Sequence, residues 1–150
     1  MIKGIIFDFN RTLYLPEIQK IPEKTIELLK NLKRNGFALA LISIKEIQRE
    51  EKIEEYNLSS IFSILKFVEE KNIGVFKETI QSMKCLPNEV LVVGDRVKSE
   101  IKIANTLGIK TIWYKQGKFS NESPTEKIEF PNWTIDNLSE IVNILQELNK

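Results

Sequence analysis

Residues 90–114 read VLVVGDRVKSEIKIANTLGIKTIWY, and this stretch decides the fold. The apolar run 90–93 is long enough for a strand and too short for a buried helix. Gly94-Asp95 ends it, residues 99–107 carry a helical pattern, and Gly108 closes that helix. Lys110–Tyr114 (KTIWY) is the next strand. A strand with no polar alternation is expected where both faces of a parallel sheet are covered by helices.

The same rhythm extends in both directions. Residues 3–9 (KGIIFDF) form a first apolar strand. Pro22 opens a helix with Ile26, Leu29 and Leu32 on one side, and Gly36 stops it. Residues 37–42 (FALALI) are a second strand ending at Ser43, and a charged helix is expected over 46–56. Ile64–Val68 is a third strand, and residues 72–84 a helix with Val75, Phe76, Ile80 and Met83 inward. Residues 117–131 read as an ordered surface loop and Trp133–Ile135 as a short edge strand. Leu138, Ile141, Val142, Leu145 and Leu148 mark a C-terminal amphipathic helix. This alternation specifies one α/β domain over residues 1–150. It is a three-layer, Rossmann-like arrangement with a mainly parallel sheet of five to six strands and helices on both faces.

Composition narrows the chemistry. The chain has 150 residues and a net charge of +1, so no bulk attraction to nucleic acid or an anionic membrane is implied. The lone Cys85 cannot form an internal disulfide, and the N-terminal apolar run is broken by Asp8. A cytoplasmic setting is therefore the expectation. There are eighteen Lys and eighteen Glu, but only four Arg, three Asp and no His. The absence of His removes imidazole-based triads and His-rich zinc sites.

Ligands in such sheets bind at the carboxyl ends of the strands, where Asp8, Ser43 and Asp95 all fall. Two of only three aspartates on neighbouring strand ends would repel strongly without a cation between them. Hard oxygen donors beside a phosphate point to Mg²⁺.

These residues resemble the motifs of the haloacid-dehalogenase (HAD) superfamily. Asp8-Phe9-Asn10-Arg11-Thr12 is similar to its first motif, DxDx[TV]. Ser43 matches the hydroxyl residue ending the second strand. A Lys before the next helix is the third motif, for which Lys71 is the choice, with Lys66 and Lys77 behind it. Gly94-Asp95 through Glu100 resembles the acidic fourth motif. The resemblance covers residues 1 to about 115 and implies an Mg²⁺-dependent phosphohydrolase acting on a phosphoester or acyl phosphate.

In that reading Asp8 is the nucleophile, and Ser43 and Lys71 bind the phosphoryl oxygens. Thr12 completes the first motif. Asp8, the Asn10 carbonyl, Asp95 and, more remotely, Glu100 hold the metal. Arg11 stands where the family usually has Gly; it would bind substrate phosphate or pair with a surface Glu.

Asn10 is the main departure, because the family's Asp at this position acts as the general acid and base. The resemblance then implies a slow phosphatase, one borrowing an acid such as Glu17, Glu69 or Glu70, or a catalytically impaired phosphate-binding or protein-interaction module. The gaps between motifs leave no room for a cap domain. Capless relatives take extended substrates or use a neighbouring subunit as lid, so a homo-oligomer is one expectation.

Overall fold

All four residues of Gly4–Phe7 are buried, and this strand, β1, lies inside a six-stranded sheet. The computed structural model describes the whole chain, Met1–Lys150. The other strands are β2 (Ala38–Ile44), β3 (Ile64–Val68), β4 (Val90–Gly94), β5 (Lys110–Tyr114) and β6 (Trp133–Ile135), in the order β3-β2-β1-β4-β5-β6. Every neighbouring pair is parallel. The chain builds outward from β1 to β3, then returns to lay β4 on β1's other side. The strand order therefore reverses at the β1–β4 crevice, the place where such sheets bind ligands.

Alternate side chains enter two separate cores, as a two-residue period requires. Ile5, Phe7, Leu39, Leu41, Leu91 and Val93 face α1 (Glu23–Arg34), α2 (Ile47–Glu55) and α5 (Glu140–Leu148) through Leu29, Ile53 and Ile141. Ile6, Ala40, Ile42 and Val92 face α3 (Ile73–Ser82) and α4 (Lys102–Thr106) through Phe76, Ile80 and Ala104. Between β1 and β2 there is a looped flap and one helix; no inserted cap interrupts the sheet. None of the helices is long and apolar enough to cross a membrane.

Several expectations need correction. β1 stops at Phe7, not residue 9, because the chain turns there: the Phe9 carbonyl accepts from the N–H groups of Thr12, Leu13 and Tyr14. The helix expected over 99–107 opens as a π-turn, Val97–Ile101, and is α-helical only over Lys102–Thr106. Val142 is 39% exposed, since Ile141 and Leu145 set the buried stripe of α5.

The loop 117–131 is pinned by one buried acid. Glu129 accepts from Thr125 N (2.9 Å), Thr125 Oγ1 (3.0 Å) and Lys98 Nζ (3.0 Å). The backbone donor of Thr125, then Lys98, hold its carboxyl down at about 2. A depressed folded value gives stability that is present above the unfolded carboxyl range and lost as pH falls towards the folded value. Glu129→Gln is therefore expected to destabilise the protein at pH 7, with the deficit shrinking between about pH 4.5 and pH 2. Urea unfolding at pH 7 and pH 3 checks this; an equal deficit at both would contradict it.

Candidate active site

Three strand ends and one π-turn deliver the charged groups. Asp8 follows β1, and its N–H donates to the Val93 carbonyl (3.0 Å), which holds it beside β4. Asp95 follows β4, its carbonyl accepting from Trp113 Nε1 (3.0 Å). Lys71 lies between β3 and α3; its Nζ donates to Asp8 Oδ1 (2.5 Å) and reaches Glu100 Oε2 (3.5 Å). Thr12 Oγ1 donates to the other Asp8 oxygen (3.2 Å).

Glu100 sits on the π-turn, a wide turn often found at functional sites. Its Oε1 accepts from the backbone N–H groups of Asp95 (3.0 Å) and Arg96 (3.2 Å). A Cβ at Gly94 would overlap the Glu100 side chain, so the glycine makes room for the acid.

Asp8, Asp95 and Glu100 are all buried, and each offers an oxygen within 4.8 Å of the others. Burial first, and the charges of Asp8 and Glu100 next, push the Asp95 carboxyl up to about 8, while Arg11 opposes the shift. Burial also raises Glu100, against the pull of Lys71. Burial alone would lower Lys71, but the attraction of Asp8 and Glu100 outweighs it and holds the ammonium above its ordinary value. Three carboxylates converge with only oxygen donors among them. That set fits a hard divalent cation and not a soft one.

Lys71 is the buried counter-charge, its side chain 8% exposed. Lys71→Met would leave Asp8 and Glu100 facing each other unpaired, at an expected cost of about 3–5 kcal/mol. Denaturant titration without divalent cation should show this, and added Mg²⁺ should recover part of it. A variant as stable as the parent would contradict the reading. Lys66 instead pairs with Glu78 (3.4 Å), and Lys77 is exposed.

These groups line a cavity of about 300 Å³, with Asn10, Arg11, Arg49, Glu69, Glu70 and Arg96 also in its wall. Glu17 is not part of that wall; it lies near Gly117. One expectation changes here. Arg11 pairs with no surface Glu: its Nε donates to buried Asp95 Oδ2 (2.9 Å), and its side chain lies over the Phe119 ring (4.7 Å). Its backbone is left-handed (φ 63°), a conformation costing about 1–2 kcal/mol in a residue with a Cβ. The Gln116 amide donates to its carbonyl and holds it there.

Ser43 is fully buried and outside the cavity wall; its Oγ donates to the Ile44 carbonyl (3.2 Å) and accepts from Arg49 Nη1 (3.3 Å). Its hydroxyl faces its own strand and an arginine of the cavity wall. Turned so that its oxygen meets the two guanidiniums, the Asn10 amide accepts from Arg11 Nη1 (2.9 Å) and Arg49 Nη2 (3.3 Å).

Arg49 is the residue that sequence reading missed, because EIQREEKIEE looks like a solvated helix face. One signal was available. Of only four arginines in a Lys-rich chain, three (Arg11, Arg49 and Arg96) line this cavity.

With the geometry in view, comparison with known proteins is direct. A family described as HAD-hydrolase-like matches residues 71–141. The chain is 29% identical over 138 residues to a glyceraldehyde 3-phosphate phosphatase of Pyrococcus furiosus, an alignment covering 88% of this chain and 57% of that protein. A protein of the same name from Methanocaldococcus jannaschii is 32% identical over 132 residues, covering 84% and 57%. The chain thus spans little more than half the length of these relatives. Among solved structures, the HAD hydrolase YfnB of Bacillus subtilis, bound to magnesium, superposes with a TM-score of 0.78 at 13% identity. That alignment covers 96% of this chain and 98% of the other, and at such low identity it speaks for the fold alone. The family match and the sequence relatives make the chain similar to hydrolases of the HAD superfamily, and the solved structure shares its fold.

Proposed function

We propose that this chain is a slow, Mg²⁺-dependent phosphohydrolase working through an aspartyl-phosphate on Asp8. The observation that carries the reading is the meeting of Asp8, Lys71, Asp95 and Glu100 in one buried cavity at the β1–β4 crevice. Asp8, the Asn10 carbonyl and Asp95 would hold Mg²⁺, with Glu100 braced behind them. The bound ion supplies positive charge against the transferring phosphoryl group.

The remaining steps belong to the chain's own side chains. An Asp8 oxygen attacks phosphorus, the O–P bond to it forms, and the bond to the leaving oxygen breaks. Thr12 orients the Asp8 carboxylate, and Lys71 neutralises charge on the phosphoryl oxygens. Water then cleaves the Asp8–phosphorus bond, releasing phosphate. Asn10 can neither give nor take a proton, so both proton transfers lack their usual partner. Acyl and aryl phosphates, whose leaving groups need no protonation, are the substrates this machinery handles best. The lone Cys85 suits a reducing, cytoplasmic setting, and a second copy acting as lid belongs to the same reading.

Purified protein should hydrolyse p-nitrophenyl phosphate or acetyl phosphate when Mg²⁺ is added and stop when EDTA is added. No metal-dependent turnover across a phosphoester panel overturns the proposal. A second reading, a phosphate-binding or protein-interaction module without turnover, has one observation in its favour: the Arg11 guanidinium already sits on Asp95. It predicts that phosphate stabilises the protein thermally while no substrate is consumed.

A further inference from the structure

A second cavity, of about 550 Å³, lies between the flap of residues 13–21 and α2. Small-molecule sites typically enclose roughly 300–1,000 Å³, so it is large enough for part of a ligand. Asn10, Arg11 and Arg49 line both this cavity and the one holding Asp8, so they form a shared wall. Any molecule with its phosphoryl group at Asp8 and a tail of a few atoms must pass them.

The cations along that wall hold one carboxylate each and keep further donors beyond it. Two guanidiniums converge on one neutral amide oxygen, which offsets none of their mutual repulsion. The Nη contacts of Arg49 with Ser43, Ile44 and Asn10 measure 3.3–3.5 Å, long beside the roughly 2.7–2.9 Å of a charge-assisted bond. Arg11 Nη2 donates no hydrogen bond within the chain. Lys52 adds a third cation, its ammonium paired with Glu55 (2.8 Å) and 5.9 Å from the centre of the Tyr14 ring. Of the two carboxylates in the lining, Glu46 is spent on Arg49 Nε (3.0 Å), and Glu51 is exposed to solvent. Glu46 thereby fixes the guanidinium plane and leaves its Nη groups toward the wall.

We propose that this cavity binds a second anionic group of the substrate, a carboxylate or a second phosphate, held by Arg11, Arg49 and Lys52. The substrate class is then a small phosphoester with an anion a short chain away from the phosphoryl group. This rests on the reading of the Asp8 cavity as the phosphoryl site. Asn10 takes on a second meaning in it: an acid there would cancel the two arginines, whereas the neutral amide keeps them available.

Binding measured without turnover tests the idea. Titration calorimetry with Mg²⁺ would compare propylphosphonate with 3-phosphonopropionate and propane-1,3-diphosphonate. At least one of the two doubly anionic probes should bind about tenfold or more tightly than propylphosphonate, as expected for new charge-assisted contacts. Which of them does so distinguishes carboxylate from phosphate. Arg49→Met and, on the more exposed rim, Lys52→Met should each bring that ratio below threefold.

Equal affinity for all three probes, or a preference that survives both substitutions, overturns the inference. If the probes bind equally while p-nitrophenyl phosphate is turned over, only the second subsite fails. If no probe binds and no ester is hydrolysed, the phosphoryl site itself is wrong and both proposals fall.

Discussion

Asp8→Asn is expected to remove phosphatase turnover almost completely, by about 10⁴-fold or more, the scale seen when an enzyme loses its nucleophile. The substitution is nearly isosteric, so it isolates chemistry from packing. The amide oxygen it introduces could still accept from Lys71 or Thr12, the two groups that fix Asp8 at 2.5 and 3.2 Å. It removes a negative charge from a cluster of three converging carboxyl groups, so the fold should be at least as stable as the parent. Single-turnover assays with an aryl phosphate, alongside thermal unfolding, make the separation. Residual turnover within tenfold of the parent would mean that another group attacks phosphorus.

The reverse kind of change is expected at position 10, where Asn10→Asp should raise steady-state turnover by about 10²-fold, the low end of what general acid–base catalysis supplies. The parent should show a burst of one leaving group per site, followed by slow release of phosphate. The new carboxyl would stand within reach of Arg11 Nη1 and Arg49 Nη2, at 2.9 and 3.3 Å from the present amide oxygen. Both guanidiniums favour its ionised form. It would therefore serve as a base for the attacking water more readily than as an acid for the leaving group. Turnover of aryl and acyl phosphates should gain more than that of alkyl phosphates, and the burst should disappear. An unchanged rate would show that proton transfer at this position does not limit the reaction.

Much of this arrangement was legible in the residues. β3, β5 and β6 occupy the expected stretches because each is an apolar or β-branched run bounded by polar residues or glycine. Asp8 and Asp95 were readable as neighbours because strand–helix alternation leaves few ways to order a parallel sheet. Lys71 stood out from Lys66 and Lys77 by its place before a helix, and it is the lysine that touches Asp8.

What escaped notice depended on contacts between distant segments. Val97, Ile101 and Ala104 repeat much as an α-helix would, and only the backbone bond from Ile101 N–H to the Arg96 carbonyl (3.3 Å), five residues back, reveals a π-turn. The contact between Ser43 and Arg49 brings into the cavity wall a residue from a helix with no sequence mark of function. The Arg11–Asp95 pair joins residues 84 positions apart, beyond any local pattern.

The order of strands also has a consequence for how the protein is made. β1 leaves the ribosome well before one of its two hydrogen-bonding neighbours, β4, which ends only at Gly94. At about 5–20 residues per second, that flank of an entirely apolar strand stays open for roughly five to twenty seconds of synthesis. An unpaired strand edge invites pairing with other chains. Release of the nascent chain before β4 is complete would thus yield a sticky fragment in place of an inactive domain. The arrival of β4 both covers that edge and brings Asp95 to Asp8, so the closed flank of β1 and the acidic cluster form in the same step.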